Sequence, residues 1–330
     1  TPAPAAPAQS EPAAQPAAEP AAQAESAAPE FTFVMGDNQS ANSIQGQTDD
    51  YFANLVKEKS NGRIVIEVYH DAQLGEEEEM IQQIQFGGMD FAQVSLSPLA
   101  EFADEMNVLQ LPYLYNNAEH QWKVLGGEIG AYFLSCTESA NITGLAWVDG
   151  GARNFYTTNK EIKSAADLSG LKLRVQSSQL MMDMVTALNA VPQAMSYADV
   201  YSALQTGVID GAENNWPSYI DSSHYELCKY VIVDGHTRVP DLLIASTSAL
   251  AKLSAEDQAL VRECAKAAQE DHKARWAQEE AAAEEKAVDA GSVICYPENT
   301  EDFQSAVASL YETPDMQQYA EWIDKIKAAA

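Results

Sequence analysis

Basic residues are scarce in this chain: 19 lysines and arginines stand against 49 aspartates and glutamates, a formal charge of −30 over 330 residues. Such a surface repels phosphates, which excludes nucleic acid as a partner and disfavours docking on anionic lipid. Long apolar runs are missing too, so no segment reads as a membrane-spanning helix. Cysteine is sparse and scattered. Cys136, Cys228, Cys264 and Cys295 form no CxxC or Cys/His pairing, so zinc is not expected, and both disulfides and buried free thiols stay open. The five histidines (His70, His120, His224, His236, His272) show no ligand spacing. Catalytic signatures are equally absent: there is no GxSxG, HExxH or GxxxxGK[ST]. GGEIG at Gly126–Gly130 has neither the spacing nor the preceding strand of a dinucleotide loop. Acidic pairs carry no information in a chain with 49 acids. Neither an enzyme nor a cofactor is expected.

What is present is a hydrophobic content of 46 %, ample for a core, at a length that accommodates two compact domains. The first 30 residues differ sharply from the rest. They hold half of the 14 prolines, no aromatic and no basic residue, and cannot bury anything. They are expected to be a disordered, semi-extended tether. The chain opens at Thr1 with neither Met nor a basic and apolar leader, which predicts processing during export. An extracytoplasmic location follows, periplasmic or tethered at the membrane surface.

From Phe31 the periodicities alternate between strand and helix. FTFVMG and GRIVIEVY read as strands, Asp49 to Ser60 as an amphipathic helix between them. QLGEEEEMIQQIQFGG is a helix whose glutamates crowd its positive N-terminal end and whose Gly87-Gly88 stops it. MDFAQVSLS returns as a strand. A second such pattern begins at ITGLAWV, with helices expected over 179–189 and 198–205. Strand, helix, strand at this spacing predicts α/β lobes with largely parallel sheets. Ser254 to Val288 is one long helix of about 50 Å, more than one lobe needs, so it is expected to lie across both.

The residues that ask for a function lie at strand ends. In LKLRVQSS, Leu171, Leu173 and Val175 alternate on one face and Arg174 sits mid-strand on the other. A guanidinium keeps its charge, so burying it costs several kcal/mol, roughly, unless an anion meets it. Arg153 follows the pair Gly150-Gly151; Asn214 and Asn215 follow the Asp210-Gly211 turn; Ser95 ends an apolar strand. Ligands gather at the carboxyl ends of strands in open α/β sheets. Two arginines with amides and a hydroxyl would form a carboxylate pocket. The alternative is an internal ion pair with Glu213, Asp199 or Asp241, and for each arginine it stays open.

The run GLKLRVQSSQLMMDMVTALNAVPQAMSYADVYSALQTGVIDGAENNWPSY resembles the signature region of the extracytoplasmic solute-binding proteins of tripartite ATP-independent periplasmic (TRAP) transporters, the DctP-like receptors. GRIVIEVYHDAQLGEEEEMIQQIQFGGMDFAQVSLSPL, LPYLY and GARNFY fit the same family. The resemblance implies an α/β two-lobe clamp, 31–150 with about 239–278 forming lobe I and 151–238 with about 279–330 forming lobe II. It implies that Arg174 grips a ligand carboxylate, that Arg153 is a second basic position, that Asn214 supplies an amide, Tyr197 a ring and Ser95 a polar contact. The chain departs from the commonest pattern at Arg174-Val175-Gln176 and in DGAENNWPSY. ENNWPSY, SHYE and DGHTRVP together resemble the hexuronate-binding subgroup. A sugar acid would place its ring against Trp216 or Tyr197 and its hydroxyls near Asn214, Asn215, Ser95 and the Asn38-Gln39 loop, with His236 as a further donor. The implied partners are a small organic acid and the integral membrane subunits of a TRAP transporter. Rival readings are a receptor for a C4-dicarboxylate or aromatic acid, a periplasmic enzyme acting on a sugar acid, and a sensory protein.

Overall fold

The protein is described by a computed structural model over residues 1–3 and 28–330, so the expected tether falls almost wholly outside the described residues. Alternating apolar residues build β1 (Phe31–Gly36) and β2 (Ile64–Tyr69), paired in parallel, and β3 (Phe91–Ser95) joins β1 on its other side. Helical segments then lead to β4 (Ile142–Val148). The chain next crosses into a second sheet as β5 (Arg153–Thr157), β6 (Lys172–Val175), β7 (Val191–Ala194), β8 (Gly211–Asn214) and β9 (Tyr230–Thr237). It crosses back as β10 (Asp241–Ser246) and adds β11 (Val293–Cys295) to the second sheet. The strand orders are β2-β1-β3-β10-β4 and β11-β9-β5-β8-β6-β7. Both sheets are more mixed than the sequence pattern predicts. A chain that leaves one sheet along β4 and returns along β10 must run the other way, so β10 is antiparallel to both its neighbours, and β5 to β8 and β9.

The crossings are tight. A Cβ on Gly150 would sit 2.1 Å from the Val239 carbonyl oxygen, and Gly151 (φ +60°) backs onto the Trp276 indole. Only glycine allows both the approach and the left-handed turn. The third connection is the helix Ala255–Asp289, 35 residues long and capped by Ser254, whose hydroxyl accepts from Asp257 N (3.1 Å). Its first half buries Val261, Cys264, Ala265 and Ala268 in the core that holds Phe52 and Val56; its last turns bury Ala283 and Ala287 beside Tyr219 and Ile220. One helix thus serves both lobes, as its length predicts. Midway, His272 Nε2 lies 3.1 Å from the Asp149 carbonyl at the crossing.

Two local expectations change, and the state of the cysteines, left open by the sequence, is settled. The helix expected from Asp49 runs from Ile44 to Lys59, because Ser43 caps it by accepting from Gly46 N (3.0 Å). The four cysteines are all free thiols. Of the carboxyl-terminal segment placed in lobe II by the sequence reading, β11 and the helix Thr300–Val307 pack there, against β9 and the helix Gln179–Ala187. The last turns return to lobe I: Trp322 stacks on Tyr132 (4.1 Å between centroids) and His120 Nε2 lies 2.7 Å from the Ile326 carbonyl oxygen. The aromatic face of the helix Glu128–Cys136 is what that tail covers. No helix among the described residues is long and apolar enough to cross a membrane.

Candidate ligand site between the lobes

Both sheets aim the carboxyl ends of parallel strands at the space between the lobes. From lobe I come Asn38 and Gln39 after β1, Ser95 at the end of β3, Gln45 on the helix Ile44–Lys59, Glu77 on the helix Glu77–Phe86 and Asp241 at the start of β10. From lobe II come Arg153 at the start of β5, Arg174 and Gln176 at the end of β6, Tyr197 beyond β7, Asn214 and Asn215 at the end of β8, and Ser218. They enclose a cavity of about 30 Å³, which meets a second of about 120 Å³ at Glu77, Arg174 and Tyr197. Asp241 reaches the site because β10 pairs Asp241 with Ser95 across the sheet.

The two arginines have different surroundings. Arg153 is gripped by Glu213: Nη2 donates to Oε1 (2.8 Å) and to the Glu213 carbonyl (3.0 Å), while Nε donates to Oε2. Behind Glu213 stands His236, whose Nε2 lies 3.3 Å from Glu213 Oε2 and whose Nδ1 lies 3.0 Å from Asp234 Oδ2. The result is a buried chain of alternating charge, Asp234–His236–Glu213–Arg153. Burial would raise the Glu213 carboxyl, but Arg153 and His236 outweigh it and hold the group down at about 2. Burial would likewise lower His236, but Asp234 and Glu213 lift it to about 9, so the imidazole is a cation at neutral pH.

Arg174 is as deeply placed, 3 % exposed, with no carboxylate partner among the described residues. Its Nε and Nη2 both donate to the Met195 carbonyl (3.0 and 2.8 Å), which fixes the side chain without neutralising it. Desolvation lowers its pKa from the usual arginine value, Glu213 partly opposing and Arg153 adding to the effect. Arginine nonetheless stays protonated in proteins. The cavity also holds two buried acceptors without a hydrogen-bond partner, Ser95 Oγ and Gln176 Oε1. Buried polar atoms are rarely left unpaired, so both are free to meet a polar group in the cavity.

The lobe I wall is acidic. Glu77 Oε1 accepts from Ser95 N (2.6 Å), yet burial lifts this carboxyl to about 7. Burial, with the Glu77 charge next, lifts Asp241 to about 8. Around neutral pH each exchanges between acceptor and donor forms, which suits hydroxyl groups.

Of the residues singled out from sequence, Arg174, Arg153, Asn214, Asn215, Tyr197, Ser95, Asn38 and Gln39 all line this cavity. Two have other surroundings. Trp216 is buried in the lobe II core against Tyr219, because it opens the helix Trp216–Asp221 with its ring turned into the sheet packing. His236 is stacked on Phe155 (4.2 Å) behind Glu213 and orders the Arg153 pair rather than lining the cavity. Asn215 lines the cavity with its amide already engaged, donating to Gly150 O (2.9 Å) and accepting from Ser218 N (2.8 Å). Sequence reading missed Glu77, Asp241, Gln45, Gln176 and Ser218 as lining residues. Glu77 hides in a run of four glutamates that the helix N-terminus already explains, and Asp241 acquires its place only through strand pairing.

A family model for bacterial extracellular solute-binding proteins, family 7 (DctP), matches residues 35–318. The chain belongs to that family. A solute-binding protein of Chromohalobacter salexigens is 34 % identical over 267 residues, 81 % of this chain and 80 % of that protein. Among solved structures, a TRAP periplasmic solute-binding protein from Bradyrhizobium sp. BTAi1, in complex with α/β-D-galacturonate, superposes with a TM-score of 0.88. It is 34 % identical and covers 90 % of this chain and 100 % of its own. A second, from Pseudomonas putida F1 with bound D-glucuronate, gives a TM-score of 0.88 at 34 % identity over 90 % of this chain and 97 % of its own. Members of the DctP family are extracytoplasmic receptors that bind small organic acids, not enzymes, and the two-lobe fold with its long helix is theirs.

Proposed function

We propose that this DctP-family receptor binds a hexuronate such as glucuronate or galacturonate and delivers it to the integral membrane subunits of a TRAP-type transporter. The observation that carries the ligand class is Arg174, a buried cation without a counter-carboxylate, facing a cavity with orphaned polar acceptors. A guanidinium in that position matches one carboxylate. The acidic wall opposite decides what the rest of the ligand is. A second ligand carboxylate is tolerated against Glu77 and Asp241 only while both keep their protons, whereas sugar hydroxyls can meet either form, and the Asn38, Gln39 and Gln176 amides as well. The bound sugar acids of the two solved relatives point the same way. Tyr197 supplies the ring edge. In this reading the lobes open about the Gly150–Val239 crossings, admit the acid and shut, and the shut form is the one the membrane subunits read.

A thermal-shift and calorimetric screen of D-galacturonate, D-glucuronate, succinate, malate and an aromatic acid tests it. A true ligand at a hundred times its dissociation constant adds about 2.7 kcal/mol to stability. Hexuronates should raise the melting temperature and succinate and malate should not. Tighter binding of a C4-dicarboxylate than of either hexuronate sinks the reading.

A further inference from the structure

Beneath the Asn38-Gln39 loop of lobe I lie three residues that no sequence spacing joins: Asp37, Asp49 and His70. One ligand atom from each lies within 4.8 Å of the others. Asp37 and Asp49 are buried and His70 nearly so; His70 Nδ1 is 3.2 Å from Asp37 Oδ2. Asp37 divides its carboxylate between two tasks. Its Oδ1 accepts from Gln39 N (2.7 Å), holding the loop, and its Oδ2 turns to the cluster. Asp49 is the anomaly. Its side chain is 0 % exposed, no donor among the described residues meets either oxygen, and its near neighbour is the Asp37 carboxyl. Among the described residues no lysine or arginine pairs with either aspartate; His70 Nδ1 faces Asp37 and its Nε2 lies 3.3 Å from Oδ1 of the exposed Asp50, so Asp49 has no cation of its own.

A buried carboxylate left without a counter-charge is strongly destabilising. A shared proton could satisfy one Asp49 oxygen and would leave the other orphaned. A metal ion taking one oxygen from each aspartate and one imidazole nitrogen answers both charges at once. We infer that Asp37, Asp49 and His70 bind a divalent cation. Two carboxylates with an imidazole form a mixed nitrogen and oxygen donor set, which suits Zn²⁺ or Mn²⁺ better than Ca²⁺ or Mg²⁺. The ion serves as a brace. Gln39 O accepts from Asp71 N (2.8 Å) and Asp37 O from Ala72 N (3.0 Å), so the cluster ties the loop that lines the ligand cavity to the turn that follows β2.

The test uses the whole chain stripped with a chelator and carries no sugar acid, so its failure leaves the receptor reading standing. Equilibrium dialysis against Zn²⁺, Mn²⁺, Ca²⁺ and Mg²⁺ in separate arms, with elemental analysis, should give one equivalent of Zn²⁺ or Mn²⁺. At a hundredfold excess over its dissociation constant the bound ion should raise the melting temperature by about 5 °C. Asp49→Asn and His70→Gln should each lose that uptake and that shift while still unfolding cooperatively. Uptake that survives in both variants is adventitious binding elsewhere and overturns the inference. So does the absence of uptake by the parent chain, in which case an Asp49→Asn variant that melts higher at neutral pH marks a carboxyl held protonated instead.

Discussion

Arg153 and Arg174 lie in the same sheet, equally buried, facing the same cavity, and the protein treats them in opposite ways. Around Arg153 the charges are closed: Glu213, His236 and Asp234 complete a chain in which every ion has an opposite neighbour. Around Arg174 the chain supplies one backbone carbonyl and leaves the charge unanswered. Burial alone therefore says nothing about whether a cation is structural. What separates a girder from a receptor group is the company within hydrogen-bond reach.

The contrast breaks most violently at Glu213. Replacing it with alanine leaves Arg153 a buried, unpaired cation and His236 with Asp234 alone, and removing one partner of such a pair costs about 3–5 kcal/mol. Glu213→Ala should lose that much in denaturant unfolding of the ligand-free protein. A variant that unfolds like the parent would show Arg153 to be solvated or otherwise paired.

Arg174→Ala should do the reverse. Its effect belongs to the ligand: affinity for galacturonate or glucuronate should drop by about two to four orders of magnitude, an estimate of 3–5 kcal/mol at 1.4 kcal/mol per factor of ten. The free protein should be as stable as before, or slightly more so. Arg174→Lys should fall nearly as far in calorimetry, since an ammonium lacks the planar fork. Normal binding by an alanine variant whose free form melts early would reverse the assignment of the two arginines.

The acidic wall sharpens the comparison through pH. Glu77 is raised in the folded protein to about 7 and Asp241 to about 8, chiefly by burial. Groups that hold their protons more tightly when folded favour the folded state at low pH. Their contribution is full below the ordinary carboxylate range and fades as pH rises through about 7 and about 8. Glu77 should therefore contribute more to the stability of the free protein near pH 5 than near pH 8, by about 1–3 kcal/mol. Glu77→Gln should flatten that slope in denaturant titrations at several pH values. Glu213 behaves oppositely. Held at about 2, it contributes fully above the ordinary glutamate range and loses its effect only in strong acid. A pH profile that Glu77→Gln leaves unchanged contradicts the acidic-wall account.

The smallest expected effect is at Tyr197, whose hydroxyl donates to the Ser218 carbonyl (3.1 Å). Tyr197→Phe keeps the ring and loses one hydrogen bond, about 1 kcal/mol. Affinity should fall less than tenfold by calorimetry. A hundredfold loss would mean that the hydroxyl, not the ring, meets the ligand.

Arg174 was legible in the sequence because period-2 alternation puts a permanent charge on a strand face, an oddity visible without any neighbour. Its solitude was not legible, since Glu213, Asp199 and Asp241 were all available partners and only folding assigns Glu213 to Arg153. The same holds for the cavity's acids: Glu77 is one of four consecutive glutamates, and Asp241 faces Ser95 only once β10 enters the first sheet. Trp216 misled because an aromatic beside asparagines serves a core as readily as a sugar ring. The long helix was read from its length, and its division between two cores follows from that length. The return of the tail to lobe I depended on a pairing of Trp322 with Tyr132 that no local pattern announces.

The position of β10 has a kinetic consequence. It lies between β3 and β4, strands separated from it by some hundred and fifty and by about a hundred residues of chain, an approximate count of the kind that lowers folding rates. The Thr48 hydroxyl likewise meets its partner, His272, across 224 positions. During synthesis the first half of the chain can form β2-β1-β3 but has nothing to set against β3's open edge. Lobe I is thus the first to be made and among the last to be finished, and its core stays incomplete until the middle of the long helix arrives.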